Sequence, residues 1–210
     1  MRLIYIADPM CSWCYGFAKP LDELIKSPGA AAPLSVALVM GGLRPGTTDA
    51  ITPAAAEQIF EHWRHVHEAS GQPFAEAPAT ALHRPGFVYD TEPACRATVA
   101  IRSHWPTLVW RFFKALQAAF YAEARDVSQP EVLADIAGSL GIARPEFATA
   151  FSSEAMRQAT QTDFEQVQAW GVRGFPSLLA EHDGALHMVS HGYVAIDALR
   201  ERLARVGTGN

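Results

Sequence analysis

The chain has 210 residues, enough at about 150 residues per domain for one large domain or one domain with an insertion. Hydrophobic residues make up 49% and charged residues 19%, which supplies a packed core and excludes disorder as the main state. The net charge of −5 gives no general attraction to nucleic acid or an anionic membrane, so neither is expected as a partner.

Arg2 to Ala7 is a short apolar run and reads as a buried strand. Asp8 and Pro9 end it at once, so the long apolar stretch and cleavage site of a secretory signal are lacking, and a cytoplasmic location is expected. Cys11 to Lys26 reads as a helix interrupted near Pro20 and stopped by Ser27-Pro28-Gly29. The apolar stretch from Ala30 to Leu43 is broken by Pro33 and is too short to span a bilayer. Within it, Ser35 to Met40 reads as a second strand, so the chain opens with a βαβ unit.

Helical signals follow. Thr52 can cap a helix that starts at Pro53, carries Ile59, Trp63 and Val66 on one face, and ends at Gly71. Glu76 to Tyr89 reads as loop. Thr91 and Thr107 can cap two further helices, the second running through Phe112, Leu116 and Phe120. Ser128-Gln129-Pro130-Glu131 has the form of a capping box, and Gly141 stops the helix it opens. Helices around Pro145 to Phe151 and from Ser153 to Trp170 come next. Two short apolar runs, Ser177 to Ala180 and Leu186 to Val189, flank Asp183-Gly184 as a hairpin. A final helix over about Val194 to Val206 carries Ile196, Leu199 and Leu203 on one face. The order is βαβ, a long helical stretch, then αββα. The helical stretch therefore reads as an insertion, with residues 1–45 and 152–210 as one discontinuous domain and 46–151 inserted.

Three cysteines are too few for a disulfide scaffold. Cys11-Ser12-Trp13-Cys14 follows a strand and opens a helix. Free N–H groups and the positive end of the helix dipole stabilise an anion there, the form in which a thiol is nucleophilic. Cys11 sits exposed at the turn and is expected to be the nucleophile. Cys14, three residues on, is placed to resolve a mixed disulfide. Zinc is not expected: four ligands are needed, and no second cysteine pair exists. His62 and His65 lie adjacent on their helix but His67 points away, so the three do not converge on a metal. Cys95 reads as a small buried hydrophobe rather than a redox partner. Trp13, beside Tyr15 and Phe17, either packs or offers an aromatic surface to peptide. Asp8, three residues before Cys11, is an ordinary loop acid or cap, or else a proton relay for the resolving thiol.

Late in the chain, Gly171-Val172-Arg173-Gly174-Phe175-Pro176-Ser177 delivers a proline just before a strand. With the early CxxC, this arrangement resembles the thioredoxin superfamily. The helical insertion is similar to that of the DsbA-like branch. The stretch Asp8-Pro9-Met10-Cys11-Ser12-Trp13-Cys14-Tyr15-Gly16-Phe17 is similar to that of its cytosolic FrnE-like members. The resemblance covers nearly the whole chain. It implies an α/β thioredoxin-like fold with an all-helical insertion of roughly 100 residues after the second strand. It also implies that Pro176 is cis and faces the cysteine pair, and that the backbone around Phe175 pairs with an extended peptide, so Trp13, Phe175 and Pro176 would bind substrate. The dipeptide Ser12-Trp13 is neither the Pro-His of the periplasmic oxidase nor the Gly-Pro of thioredoxin, so strong oxidising power is not implied.

The expected activity is thiol–disulfide exchange or isomerisation on protein or peptide disulfides, with the Cys11–Cys14 pair as redox centre and no further cofactor. Glutathione is a further candidate partner. Two other readings keep the fold. Kappa-class glutathione transferases and hydroxychromene-carboxylate isomerases share the architecture but typically carry serine at the nucleophile position. A peptide-binding holdase would make the thiols incidental.

Overall fold

The computed structural model describes residues 1–26 and 35–208. The helix stop at Ser27-Pro28-Gly29 and the break at Pro33 lie outside the described residues. Strand β1 (Arg2–Ala7) is central and buried on both faces, which is why it reads as an unbroken apolar run. Leu3, Tyr5 and Ala7 enter one core, and Ile4 and Ile6 enter another. Strand β2 (Ser35–Met40) lies parallel to β1, with Ile4 opposite Ala37. On the other side β3 (Ser177–His182) runs antiparallel to β1, with Ile4 opposite Leu179. Strand β4 (Ala185–His191) closes the order β2-β1-β3-β4. The β3–β4 hairpin turns on Asp183 and Gly184, both with positive φ (51° and 77°), as a twist-matched two-residue turn requires.

Helix α1 (Ser12–Lys26) makes the crossover between β1 and β2. Phe17 and Leu21 from α1 join Leu3, Tyr5 and Leu178 in the larger sheet core, as do Leu199 and Leu203 from the last helix, α8 (Ile196–Thr208). Between β2 and β3 come α2 (Pro53–Ser70), α3 (Glu92–His104), α4 (Val109–Tyr121), α5 (Pro130–Ser139), α6 (Arg144–Ser152) and α7 (Glu154–Ala169). Val167 of α7 packs on Ile4, Ile6 and Leu179, on the sheet face opposite α1. The helices build their own core around Trp63, Phe112, Phe120 and Phe147, and Met10 and Tyr15 enter it from beside the cysteine pair. In return Cys95, Val99 and Phe113 belong to the sheet core.

Several local expectations are corrected. Helix α1 runs unbroken through Pro20, because packing against α2, α4 and α8 outweighs one lost ladder bond. Thr91 does not cap α3 with its side chain: its Oγ1 accepts from Arg44 N at 3.1 Å, and Asp90 Oδ1 takes Glu92 N at 3.0 Å. The capping box at Ser128 is not made. Asp126 Oδ1 accepts the Ser128 hydroxyl at 2.6 Å in a competing local turn, and Gln129 precedes α5. Thr107 lies inside a 3₁₀ turn, Pro106–Leu108, before α4. The Glu76–Tyr89 loop holds a second such turn, Ala81–His83, and its Val88 forms a bridge with Ala50. At α2 the reading holds. Thr52 Oγ1 accepts from Ala55 N at 3.2 Å, and Gly71, at φ 67°, ends the helix.

Candidate active site

The loop that leaves β1 is fixed before it reaches the cysteines. Asp8 O accepts from Cys11 N at 3.1 Å, and Tyr89 OH donates to Met10 O at 2.5 Å. Cys11 O then accepts from Tyr15 N at 3.1 Å, the first bond of α1, so Cys11 occupies the N-cap. Its side chain thus sits at the end of the helix where backbone N–H groups are free. Cys14 lies within the first turn, and Tyr5 OH donates to its carbonyl at 3.3 Å. All three thiols are free. Cys11 is 6% exposed, whereas Cys14 is closed to solvent. Burial pushes the Cys14 thiol well above its ordinary value, and a hydrogen bond and charge coupling to Cys11 add to that. The charge of Asp8 raises it further, while the Asp8 backbone N–H pulls the other way.

Asp8 is fully buried and is not a cap of α1. Its Oδ1 accepts from Met10 N at 2.8 Å and its Oδ2 from Leu43 N at 2.7 Å, which ties the cysteine loop to the segment after β2. Burial raises its pKa, and the hydrogen bonds donated by Leu43, Met10, Thr91 and Cys95 oppose that rise. A carboxylate that solvent cannot reach thus lies against the CxxC pair.

Across the sheet end, the Cys11 thiol lies 3.6 Å from the carbonyl oxygen of Phe175. The Phe175–Pro176 bond is cis. Pro176 is buried and Phe175 half-buried. The Phe175 ring lies on Gly41, where a Cβ would come within 2.2 Å of it, so that approach needs a residue with no side chain. Gly192 N donates to Pro176 O at 2.7 Å, and Ser177 Oγ lies 2.9 Å from Gly174 O, which fixes the loop on both sides. Trp13 is half-buried between two rings, His62 of α2 and Tyr193, each with its centroid 5.7 Å away. Tyr15 and Phe17 are buried, so of the three aromatics in the active turn only Trp13 reaches the surface.

Cys11, Cys14, Asp8 and Phe175-Pro176 therefore meet at one end of the sheet. Three contributors carry no local sequence signal. Cys95 donates its thiol to Asp8 Oδ2 at 3.4 Å. His62 and Tyr193 flank Trp13 from opposite parts of the chain. Only the aromatic types of Trp13 and Tyr193 could have raised that pairing in advance. The histidines of α2 diverge: His62 meets Trp13, His65 approaches Glu61, and His67 Nδ1 lies 2.7 Å from Gln72 O. Among the described residues no helix is long and apolar enough to cross a membrane.

A sequence profile described as DSBA-like thioredoxin domain matches residues 3–204. A structure from Nitrosomonas europaea, provisionally assigned as a protein disulfide isomerase, is 38% identical over 100% of this chain and 98% of its own, with a TM-score of 0.89. The cytosolic disulfide reductase DsbM from Pseudomonas aeruginosa is 25% identical, covers 100% of both chains and has a TM-score of 0.80. The same enzyme with GSH gives a TM-score of 0.79 at 25% identity, over 100% of this chain and 98% of its own. A 2-hydroxychromene-2-carboxylate isomerase, at 14% identity, shares the fold. No curated protein sequence matches. With the profile spanning almost every residue, the chain belongs to the DsbA-like thioredoxin-domain family of thiol–disulfide oxidoreductases.

Proposed function

We propose that this protein exchanges disulfides with protein or peptide substrates through Cys11 and Cys14. The observation that carries the reading is the placement of Cys11: at the N-cap of α1, open at its edge, and 3.6 Å from the Phe175 carbonyl that precedes Pro176. The Cys11 thiolate attacks one sulfur of a substrate disulfide. A Cys11–substrate bond forms, and the other substrate sulfur leaves as a thiolate and takes a proton. Cys14 then gives its proton to the Asp8 carboxylate and attacks Cys11 Sγ. The second substrate thiol leaves, and the pair is oxidised as the substrate is reduced. Run backwards, the same steps oxidise a dithiol. Release and re-capture of the mixed disulfide isomerises.

An extended peptide lies along the backbone at Phe175, with Trp13, the Phe175 ring and Pro176 as its contacts. In this reading residues 1–45 and 152–210 carry the chemistry. The inserted 46–151 segment covers it and supplies His62 against Trp13. Glutathione is the proposed small-thiol partner and the cytoplasm the proposed location. The similarity to the Pseudomonas aeruginosa DsbM, a cytosolic enzyme also solved with GSH, supports both. The redox pair is the only prosthetic chemistry the reading requires.

The test is turnover of a disulfide-linked fluorescent peptide in a glutathione buffer. Wild type should accelerate exchange, and Cys11→Ser should lose the acceleration completely. Equal rates with the folded Cys11→Ser variant would refute the reading.

A further inference from the structure

Cys95 is the one thiol that the exchange cycle leaves unused. It sits in the first turn of α3, fully buried, and it is 87 residues from its partner in sequence. Its Sγ lies 3.4 Å from Asp8 Oδ2, an ordinary separation for a thiol donating to a carboxylate. The same oxygen accepts from Leu43 N, and Oδ1 accepts from Met10 N. Those two donors are backbone groups and cannot be lost without moving the loop. The thiol is a donor that one substitution removes.

We propose that Cys95 is a positioning residue: its S–H holds the Asp8 carboxylate ionised and aimed at the resolving thiol, and so sets the pH range in which Cys14 can be deprotonated. This rests on Asp8 being the relay. The step is Cys14 S–H plus Asp8 carboxylate giving Cys14 thiolate plus Asp8 carboxylic acid. The thiolate then attacks Cys11 Sγ, the substrate thiolate leaves, and it recovers the proton. No outside oxidant or reductant enters.

The Thr91 hydroxyl also donates to the Asp8 carboxyl, but it already does so beside Cys95 and does not make good the loss of the thiol. No other group facing Asp8 substitutes for Cys95 either. Tyr89 and Tyr121 are coupled to it from the helical side, but burial pushes both phenols up and keeps them neutral. Cys11 and Cys14 are the reacting pair. Two charged groups act one step removed, Glu92 on Cys95 and Arg44 over the Tyr89 ring at 5.1 Å. The Cys95 thiol itself is pushed well above its ordinary value by burial and by Asp8, so it stays protonated and remains a donor. Being fully buried, it is not a reagent-accessible sensor.

The experiment follows release of the second substrate thiol against pH in wild type, Cys95→Ala, Cys95→Ser, Asp8→Asn and Cys95→Ala with Asp8→Asn. Losing a donor to the ionised form raises the carboxyl pKa, so the rate should rise only at higher pH. Cys95→Ala should move the midpoint up by roughly half a unit to one unit, a threefold to tenfold slower release below it. Cys95→Ser, which keeps a donor, should stay near wild type. Asp8→Asn should remove the pH-dependent limb, and adding Cys95→Ala to it should change nothing more. If Cys95→Ala fails to fold, Cys95→Val, which fills the space without donating, takes its place. A wild-type midpoint in folded Cys95→Ala, with Asp8→Asn altered, overturns the role of Cys95 and leaves the relay standing. A wild-type profile in Asp8→Asn overturns the relay itself, and the Cys95 role with it.

Discussion

Cys14 and Cys95 are closed to solvent, and burial pushes both thiols well above their ordinary value, whereas Cys11 keeps an open edge at the helix N-cap. Alkylation by iodoacetamide under native conditions should therefore label Cys11 first, with Cys14 and Cys95 modified only after unfolding. Peptide mapping by mass checks this, and early label on Cys95 would contradict the burial. At this scale the cysteine pair was legible because its spacing and its strand-to-helix context are local. The partners of Asp8 were not. Leu43, Thr91 and Cys95 lie 35 or more residues away, and residue type alone did not separate a loop acid from a buried carboxylate. The need for glycine at position 41 was equally hidden, since only the Phe175 ring, from a distant loop, requires it.

The elements are held to one another by a few ion-paired side chains. Asp22 on α1 accepts from Lys26 Nζ at 2.6 Å, Lys114 Nζ at 2.7 Å and Trp110 Nε1 at 2.8 Å, which ties α1 to α4. Its partial burial pulls its pKa up, but those hydrogen bonds outweigh that and hold it at about 2. A depressed carboxyl pKa stabilises the fold above the unfolded value, and that contribution is lost as pH falls towards about 2. Asp22→Asn should thus cost about 1 kcal/mol at pH 7, after discounting for solvent contact, and almost nothing at pH 2. Urea unfolding at the two pH values measures the difference. A second tie is Asp163 of α7, which accepts from both Arg102 terminal nitrogens and from Met40 N, fixing the end of β2. Strand and helix identities were legible because the apolar periods differ and prolines and glycines punctuate them. The cap at Thr52 was legible too, but those at Thr91 and Ser128 were not. A neighbouring Asp takes over: Asp90 accepts from Glu92 N while Thr91 accepts from the distant Arg44 N, and Asp126 accepts the Ser128 hydroxyl.

Across the whole molecule the two principal cores interlock. Met10 and Tyr15 enter the helical core, and Cys95 and Phe113 enter the sheet core. Sheet and helical stretch should therefore unfold in one transition, with far-ultraviolet dichroism and tryptophan fluorescence coinciding in urea. Two separated transitions would mean that the shared residues contribute little. The same interlock brings His62 of α2 against Trp13 and Cys95 to Asp8, so the candidate site draws on both cores. The exchange cycle requires that Cys11 attacks and Cys14 resolves. It is tested most directly by incubating Cys14→Ser with a disulfide-linked peptide and measuring intact mass. A stable adduct of one peptide half should form at Cys11, released only by added thiol. A folded Cys14→Ser protein that forms no adduct, or one that carries it at Cys95, would rule out Cys11 as the attacking thiol.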